Sequence, residues 1–222
     1  MARRQYKVEP FQLAIRENPS ARPSGAQNGA TAPSVPASGV AATEASGFRI
    51  GSRLGHPERA LMDSGFTSEV LARLGERGLV LPVPAPPAGK YEPFRLVRGT
   101  GYLAAQLPSR EGRYVLQGRV GAELTLEEGR QAATLAALSA VARIQQALGG
   151  FERLEGLLRV DGYVASADTF VDQPEVLDGA SELFLWVLGE RGRHARTAYA
   201  VGRLPKNNSV ELAVTFAYAL GA

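Results

Sequence analysis

From Thr125 to Gly150 apolar residues recur at three- and four-residue spacing, with Leu135, Leu138, Ala142 and Leu148 on one face. That period predicts an amphipathic helix over 125–150. Thr125 and Glu128 have the spacing of a capping box, and Gly149-Gly150 supplies a stop. A shorter helix is predicted over SEVLARLGERG (68–78), capped by Ser68 and ended by Gly75 or Gly78. A third is predicted over 172–192, opened by Asp172 or Gln173 with Pro174 behind it. Between these the pattern changes to extended segments. FRLVRG (94–99) and YLAAQLP (102–108) read as a hairpin turning at Thr100-Gly101. Further strands are predicted at Leu157–Val164, Arg196–Val201 and Ser209–Ala219. VLPVPAPPAGKYEP (80–93) carries five prolines, which makes it extended but unfit for a central strand. The order β-β-α-β-α-β-β implies an α+β domain, with two helices on one face of a mixed sheet.

The first 63 residues follow different rules. Ala, Ser, Pro and Gly supply 21 of the 29 residues from 19 to 47, and only Val35 and Val40 are larger aliphatics. Such a segment buries too little to offset its ordering entropy, so 19–63 is expected to be a flexible linker. Ahead of it, RRQYKVEPFQLAIREN (3–18) alternates Tyr6, Val8, Phe11, Leu13 and Ile15 with polar residues. A one-sided extended peptide on a tether reads as a docking motif for a sheet edge, within residues 1–18. Packing back on its own domain, or a frayed terminus, are the other readings. The globular domain is expected to span 64–222.

Composition narrows the chemistry. The 222 residues include no cysteine, which removes thiolate catalysis, disulfides and Cys-based metal sites. His56 and His194 are the two histidines, too few for a His-rich metal site, so neither metal nor organic cofactor is expected. A net charge of +3 with 21% charged residues gives no clustered basic face, and Arg110 with Arg113 do not make one. Nucleic acid is therefore not the expected partner. No apolar stretch is long enough to span a membrane, and MARRQYKVEP lacks the apolar core of a secretory signal. The expected compartment is the cytoplasm.

One residue breaks the pattern. In GRHARTAYAVGRLP (192–205) an arginine, Arg196, stands at the mouth of an apolar strand, two residues after His194. A planar guanidinium can hold a carboxylate by two parallel hydrogen bonds. It can equally pair with a structural acid, and both readings stand.

The segments VLPVPAPPAGKYEPFRLVRGTGYLAAQLP, GRVGAELTLEEGRQAA, LRVDGYVASADTFVDQPEVLDGASELF and GRHARTAYAVGRLP-x4-VEL resemble the RidA superfamily, also called YjgF or endoribonuclease L-PSP proteins. They look nearest to its YjgF/chorismate-mutase-like endoribonuclease branch. The resemblance covers about residues 64–219. It implies a chorismate-mutase-like fold, a homotrimer with clefts between subunits, and hydrolysis of small enamine or imine carboxylates. By the same resemblance Arg196 matches the arginine that binds the substrate carboxylate. Glu211 in SVEL matches a glutamate that helps place water, and Tyr91 in GKYEP a tyrosine lining the cleft. Three matched positions depart from the family. Ala104 replaces a serine hydroxyl that faces the ligand, and Asp178 in VLDGA replaces an asparagine. Ala213 stands where the family has a second glutamate. Three functions follow in order of expectation: a 2-imino acid deaminase, a small-carboxylate-binding protein without turnover, and an endoribonuclease.

Overall fold

The computed structural model describes residues 65–221. The docking peptide, the linker, His56, Ser64 and Ala222 lie outside the described residues. Helix α1 spans Gly65–Glu76, followed by strands β1 (Phe94–Val97) and β2 (Thr100–Leu103) and a small hairpin, β3 (Ser109–Arg110) with β4 (Arg113–Tyr114). Helix α2 (Leu126–Leu148), strand β5 (Leu154–Ala165), helix α3 (Gln173–Leu188), and strands β6 (Ala195–Val201) and β7 (Val210–Tyr218) complete the domain. The main sheet runs β1-β2-β7-β5-β6. β5 and β6 are parallel and joined through α3, while the other neighbours are antiparallel. The result is the expected α+β fold with a mixed sheet.

Alternation along β7 shows how the sheet is covered. Val210, Leu212, Val214, Phe216 and Tyr218 are buried, whereas Glu211, Ala213, Thr215 and Ala217 are half-buried. The buried set joins one core with Val141, Ile144, Leu177 and Phe184 of α2 and α3. Both long helices therefore cover one face, and among the described residues the other carries no helix. Two glycines permit the close contacts. A Cβ on Gly162 would collide with Leu177, and one on Gly101 would collide with the Phe216 ring. α2 and α3 approach closely at Gly179, whose carbonyl accepts from Thr134 Oγ1 at 3.1 Å.

The capping box of α2 is present as read: Glu128 N–H donates to Thr125 Oγ1 at 3.2 Å and Thr125 N–H to Glu128 Oε2 at 2.8 Å. Gly149 ends the helix with φ 73°. Elsewhere the boundaries differ from expectation. α1 begins three residues before Ser68, because Thr67 anchors the chain, its Oγ1 donating to Glu152 and accepting from Phe151 N–H. The hairpin turns at Arg98-Gly99 rather than Thr100-Gly101. Those two residues take φ 48° and 82°, and Thr100 already pairs with Val97. Positive φ at both central positions is the mark of a tight hairpin turn, and Gly101 is freed to admit Phe216. β2 stops at Leu103, and the chain beyond rejoins β7 only at Gln106, which exchanges backbone hydrogen bonds with Leu212. α3 gives way at Gly189 to a single 3-10 turn, Gly189–Gly192. The β3–β4 hairpin was not anticipated.

Candidate functional site

Pro174, Asp178 and Ser181 are spaced i, i+4 and i+7 along α3, which aligns them on one helix face. β6 lies beside that face. Its residues share the register of β5: Arg196 pairs with Val160, Thr197 with Asp161 and Tyr199 with Tyr163. Val160 is buried beneath the helices, so Arg196 emerges on the helix-covered face at the sheet edge.

There the guanidinium is held at three points. Nη1 donates to Asp178 Oδ1 at 2.9 Å and to Ser181 Oγ at 2.9 Å, and Nη2 donates to the Pro174 carbonyl at 3.1 Å. The pair stays within reach of solvent: the Arg196 side chain is 22% exposed and that of Asp178 46%. An ion pair so exposed is worth at most about 1 kcal/mol to stability. It orients the fork without sealing it.

His194 completes the cluster. Its Nδ1 lies 2.7 Å from the Gly192 carbonyl and its Nε2 lies 3.0 Å from Ser181 Oγ. A carbonyl only accepts, so Nδ1 carries the proton and Nε2 of the neutral ring presents its lone pair to Ser181. Burial first, then the neighbouring charge of Arg196, holds the imidazole below the usual histidine range, against the opposing pull of the Gly192 carbonyl.

The other expected site residues stand elsewhere. Glu211 pairs with Tyr163, on the helix-free face. Tyr163 in turn stacks on Tyr199, ring centroids 4.9 Å apart. Burial raises the Glu211 carboxyl above the ordinary range. Beside this row Arg159 Nε donates to both oxygens of Asp161, and its Nη2 donates to Thr197 Oγ1 at 2.9 Å. Tyr91 is 52% exposed just before β1, its hydroxyl accepting from Ala88 N–H at 3.2 Å. Ala104 follows β2, its N–H donating to the Pro93 carbonyl at 3.0 Å. Tyr91 and Ala104 thus belong to the β1–β2 side of the sheet and Arg196 to the opposite edge. Three strand spacings separate β2 from β6, roughly 14 Å. The fold brings Asp178 to Arg196 within one chain and keeps Tyr91, Ala104 and Glu211 apart from it.

Two features escaped the sequence reading. Ser181 was legible only through its seven-residue spacing from Pro174 once β6 was known to lie alongside. Arg143, on the apolar face of α2, is buried and holds the proline-rich segment through a 2.6 Å hydrogen bond to the Ala85 carbonyl. Among the described residues its Nε has no hydrogen-bond partner.

Residues 71–219 match the YjgF/chorismate-mutase-like, putative endoribonuclease family. The chain belongs to that family. A relative from Trypanosoma cruzi, Protein TCP17, is 37% identical over 147 residues, covering 66% of this chain and 92% of its own. Among solved structures the fold resembles Atu1372 of Agrobacterium tumefaciens, of unknown function, at 34% identity and TM-score 0.68, covering 73% of this chain and 99% of that one. A protein of Shewanella oneidensis called a putative endoribonuclease is also 34% identical, with TM-score 0.65, covering 67% of this chain and 98% of that one. Membership of this YjgF family, within the RidA superfamily, accounts for the motif order from GKYEP to VEL. Among the described residues no helix is long and apolar enough to cross a membrane.

Proposed function

We propose that the YjgF domain hydrolyses small 2-imino acids in clefts between copies of the chain, with Arg196 anchoring the substrate carboxylate. The observation that supports this is the partly exposed Arg196 fork at a sheet edge, already oriented by Asp178, Ser181 and the Pro174 carbonyl. A pre-oriented fork loses little freedom when it takes up a carboxylate.

The separation of the other residues favours a shared cleft. Tyr91 and Ala104 on one side of the sheet cannot touch a three-carbon ligand held at Arg196 on the other edge of the same chain. A head-to-tail ring, in which the β1–β2 edge of one copy meets β6 and α3 of the next, unites them. The family resemblance supplies the number three for that ring.

Asp178 sets a condition on the ligand. Its carboxylate already occupies one prong of Arg196, so an incoming carboxylate must displace or share it. The test compares wild type with Arg196→Ala and Arg196→Lys in an imino acid hydrolysis assay, with thermal melts alongside. The Ala variant should lose hydrolysis and keep its melting temperature. Lys should recover only part, because it keeps the charge without the fork. One charge-assisted hydrogen bond is worth about 1.5–3 kcal/mol, roughly ten- to a hundredfold. Pyruvate binding without hydrolysis in the wild type would favour the binding-protein reading, and RNA cleavage lost in Arg196→Ala the nuclease one.

A further inference from the structure

Ser181 spends its hydroxyl differently from the other hydroxyl residues of the long helices. Thr134 Oγ1 lies 3.0 Å from the Arg130 carbonyl and 3.1 Å from that of Gly179, and Ser139 Oγ 3.1 Å from the Leu135 carbonyl and 3.3 Å from that of Leu107, so each keeps a partner four residues back along its own helix. That is the usual local resting place for such a group. Ser181 instead receives a hydrogen bond from Arg196 Nη1 at 2.9 Å and points its proton at His194 Nε2, 3.0 Å away. His194 is locked in the accepting tautomer by the Gly192 carbonyl. A nucleophile or water beside Arg196 thus finds a hydroxyl backed by a neutral base, itself backed by an orienting carbonyl. This is the chain of roles that proton transfer requires.

The surroundings keep that base neutral and specific. The groups facing the imidazole are Ser181 and the edge of the Phe184 ring from α3, the Gly192 carbonyl from the 3-10 turn, and Arg196 from β6. Arg196 is in turn paired with Asp178. Among the described residues no carboxylate hydrogen-bonds the ring. Glu211, the acid matched to the family, is on the other face of the sheet. Within one chain, therefore, the bases at the Arg196 anchor are the Asp178 carboxylate, tied up in its ion pair with Nη1, and His194, reached through Ser181.

We propose that Ser181 and His194 form the proton relay for hydrolysis at Arg196. The step rests on the reading of Arg196 as the carboxylate anchor. Water attacks the iminium carbon, forming the C–O bond as the C=N π pair moves to nitrogen. One water proton passes to Ser181 as the Ser181 proton passes to His194 Nε2. The carbinolamine nitrogen then takes a proton back by the same path. The C–N bond breaks, ammonia leaves with that electron pair, and the hydroxyl proton goes to Ser181–His194, leaving the keto acid. Ammonia takes up the last proton and His194 is again neutral.

The experiment uses the full chain, with 2-iminopropanoate generated in situ from alanine by an amino-acid oxidase and surviving imine trapped by semicarbazide. Pyruvate, the product, is the binding probe. His194→Gln keeps an acceptor toward Ser181 and a donor toward Gly192 but takes no proton. Ser181→Ala breaks the link. Each should lower kcat/KM by about 10²-fold or more, the usual worth of a placed acid–base group. His194→Gln should leave pyruvate affinity unchanged, whereas Ser181→Ala, which also removes one of the three contacts on Arg196, should lower it far less than it lowers turnover. In the wild type kcat/KM should fall as pH drops below the usual histidine range, and His194→Gln should lack that acid limb. A His194→Gln variant with the wild-type rate and the same limb would overturn the relay while leaving the Arg196 anchor standing. Pyruvate affinity falling as far as turnover, with the limb intact, would show a purely structural cluster and overturn it too. If Arg196→Ala keeps full pyruvate affinity, the anchor fails. A wild type without hydrolysis overturns the relay and the hydrolase reading, and pyruvate affinity in Arg196→Ala still decides the anchor.

Discussion

Arg196 and Glu211 stand on opposite faces of one sheet, although β5 alone separates their strands. Arg196 shares its register with Val160, under α3, and Glu211 shares its register with Tyr163, on the face without helices. A period of two makes this strict: residues 160 and 163 differ by an odd number and cannot face the same way on a regular strand. A mechanism that needs both groups at one ligand must take them from two chains.

Oligomeric state is the first consequence. Among the described residues the face without helices carries half-buried Ala213, Thr215 and Ala217 and the stacked Tyr163 and Tyr199 beside Glu211 and the Arg159–Asp161 pair, a mixed surface suited to a contact between copies. Light scattering at micromolar concentration should give three chain masses. A single chain mass would contradict the shared cleft.

Glu211 gives a pH dependence of definite sign. Burial raises its carboxyl, so the folded protein binds this proton more tightly than the unfolded chain does. Its contribution to stability therefore falls as pH rises from below the ordinary carboxylate range through the raised folded value. Glu211→Gln should melt higher than wild type at pH 7.5 and close to wild type at pH 4. A variant that melts lower at pH 7.5 would mean that the charged form makes a stabilising contact.

The capping box of α2 should be measurable on its own. Thr125→Ala removes the acceptor for Glu128 N–H and should cost about 1 kcal/mol. For a domain of this size that is a fall of roughly 2–4 °C in Tm. No change would mean that α2 is held by packing alone.

Gly162 is required by the helix above it. A methyl there meets Leu177, which is fully buried. Gly162→Ala should cost about 1–3 kcal/mol by overpacking. Adding Leu177→Ala should cost less than the sum of the two single losses, because the methyl then enters the space that Leu177 vacates.

Much of the fold was legible because it is written in local chemistry. Thr125, Glu128 and Gly149 mark the ends of α2, and the alternation of β7 marks its buried face. The misplaced hairpin turn shows the limit. Thr100-Gly101 has turn composition, but the demand on Gly101 comes from the Phe216 ring, a contact across more than a hundred residues. The site divides in the same way. Arg196 stood out as a charge at the mouth of an apolar strand. Ser181 did not, because a serine within a helix is unremarkable until the neighbouring strand is known. Nor could the strand patterns announce that Arg196 and Glu211 face apart, since the register through β5 decides it.

The shared cleft can be tested by mixing chains. Arg196→Ala removes the anchor from one wall, and Ala104→Trp fills the opposite wall with an indole. Each protein alone should fail to hydrolyse 2-iminopropanoate. Unfolded together in equal amounts and refolded, they should regain about one quarter of the wild-type activity, since one cleft in four would pair an intact Arg196 with an intact Ala104 from the next chain. Recovery near that level would establish that adjacent copies build the site. A refolded mixture no more active than its components, or an Ala104→Trp protein with undiminished activity, would contradict it.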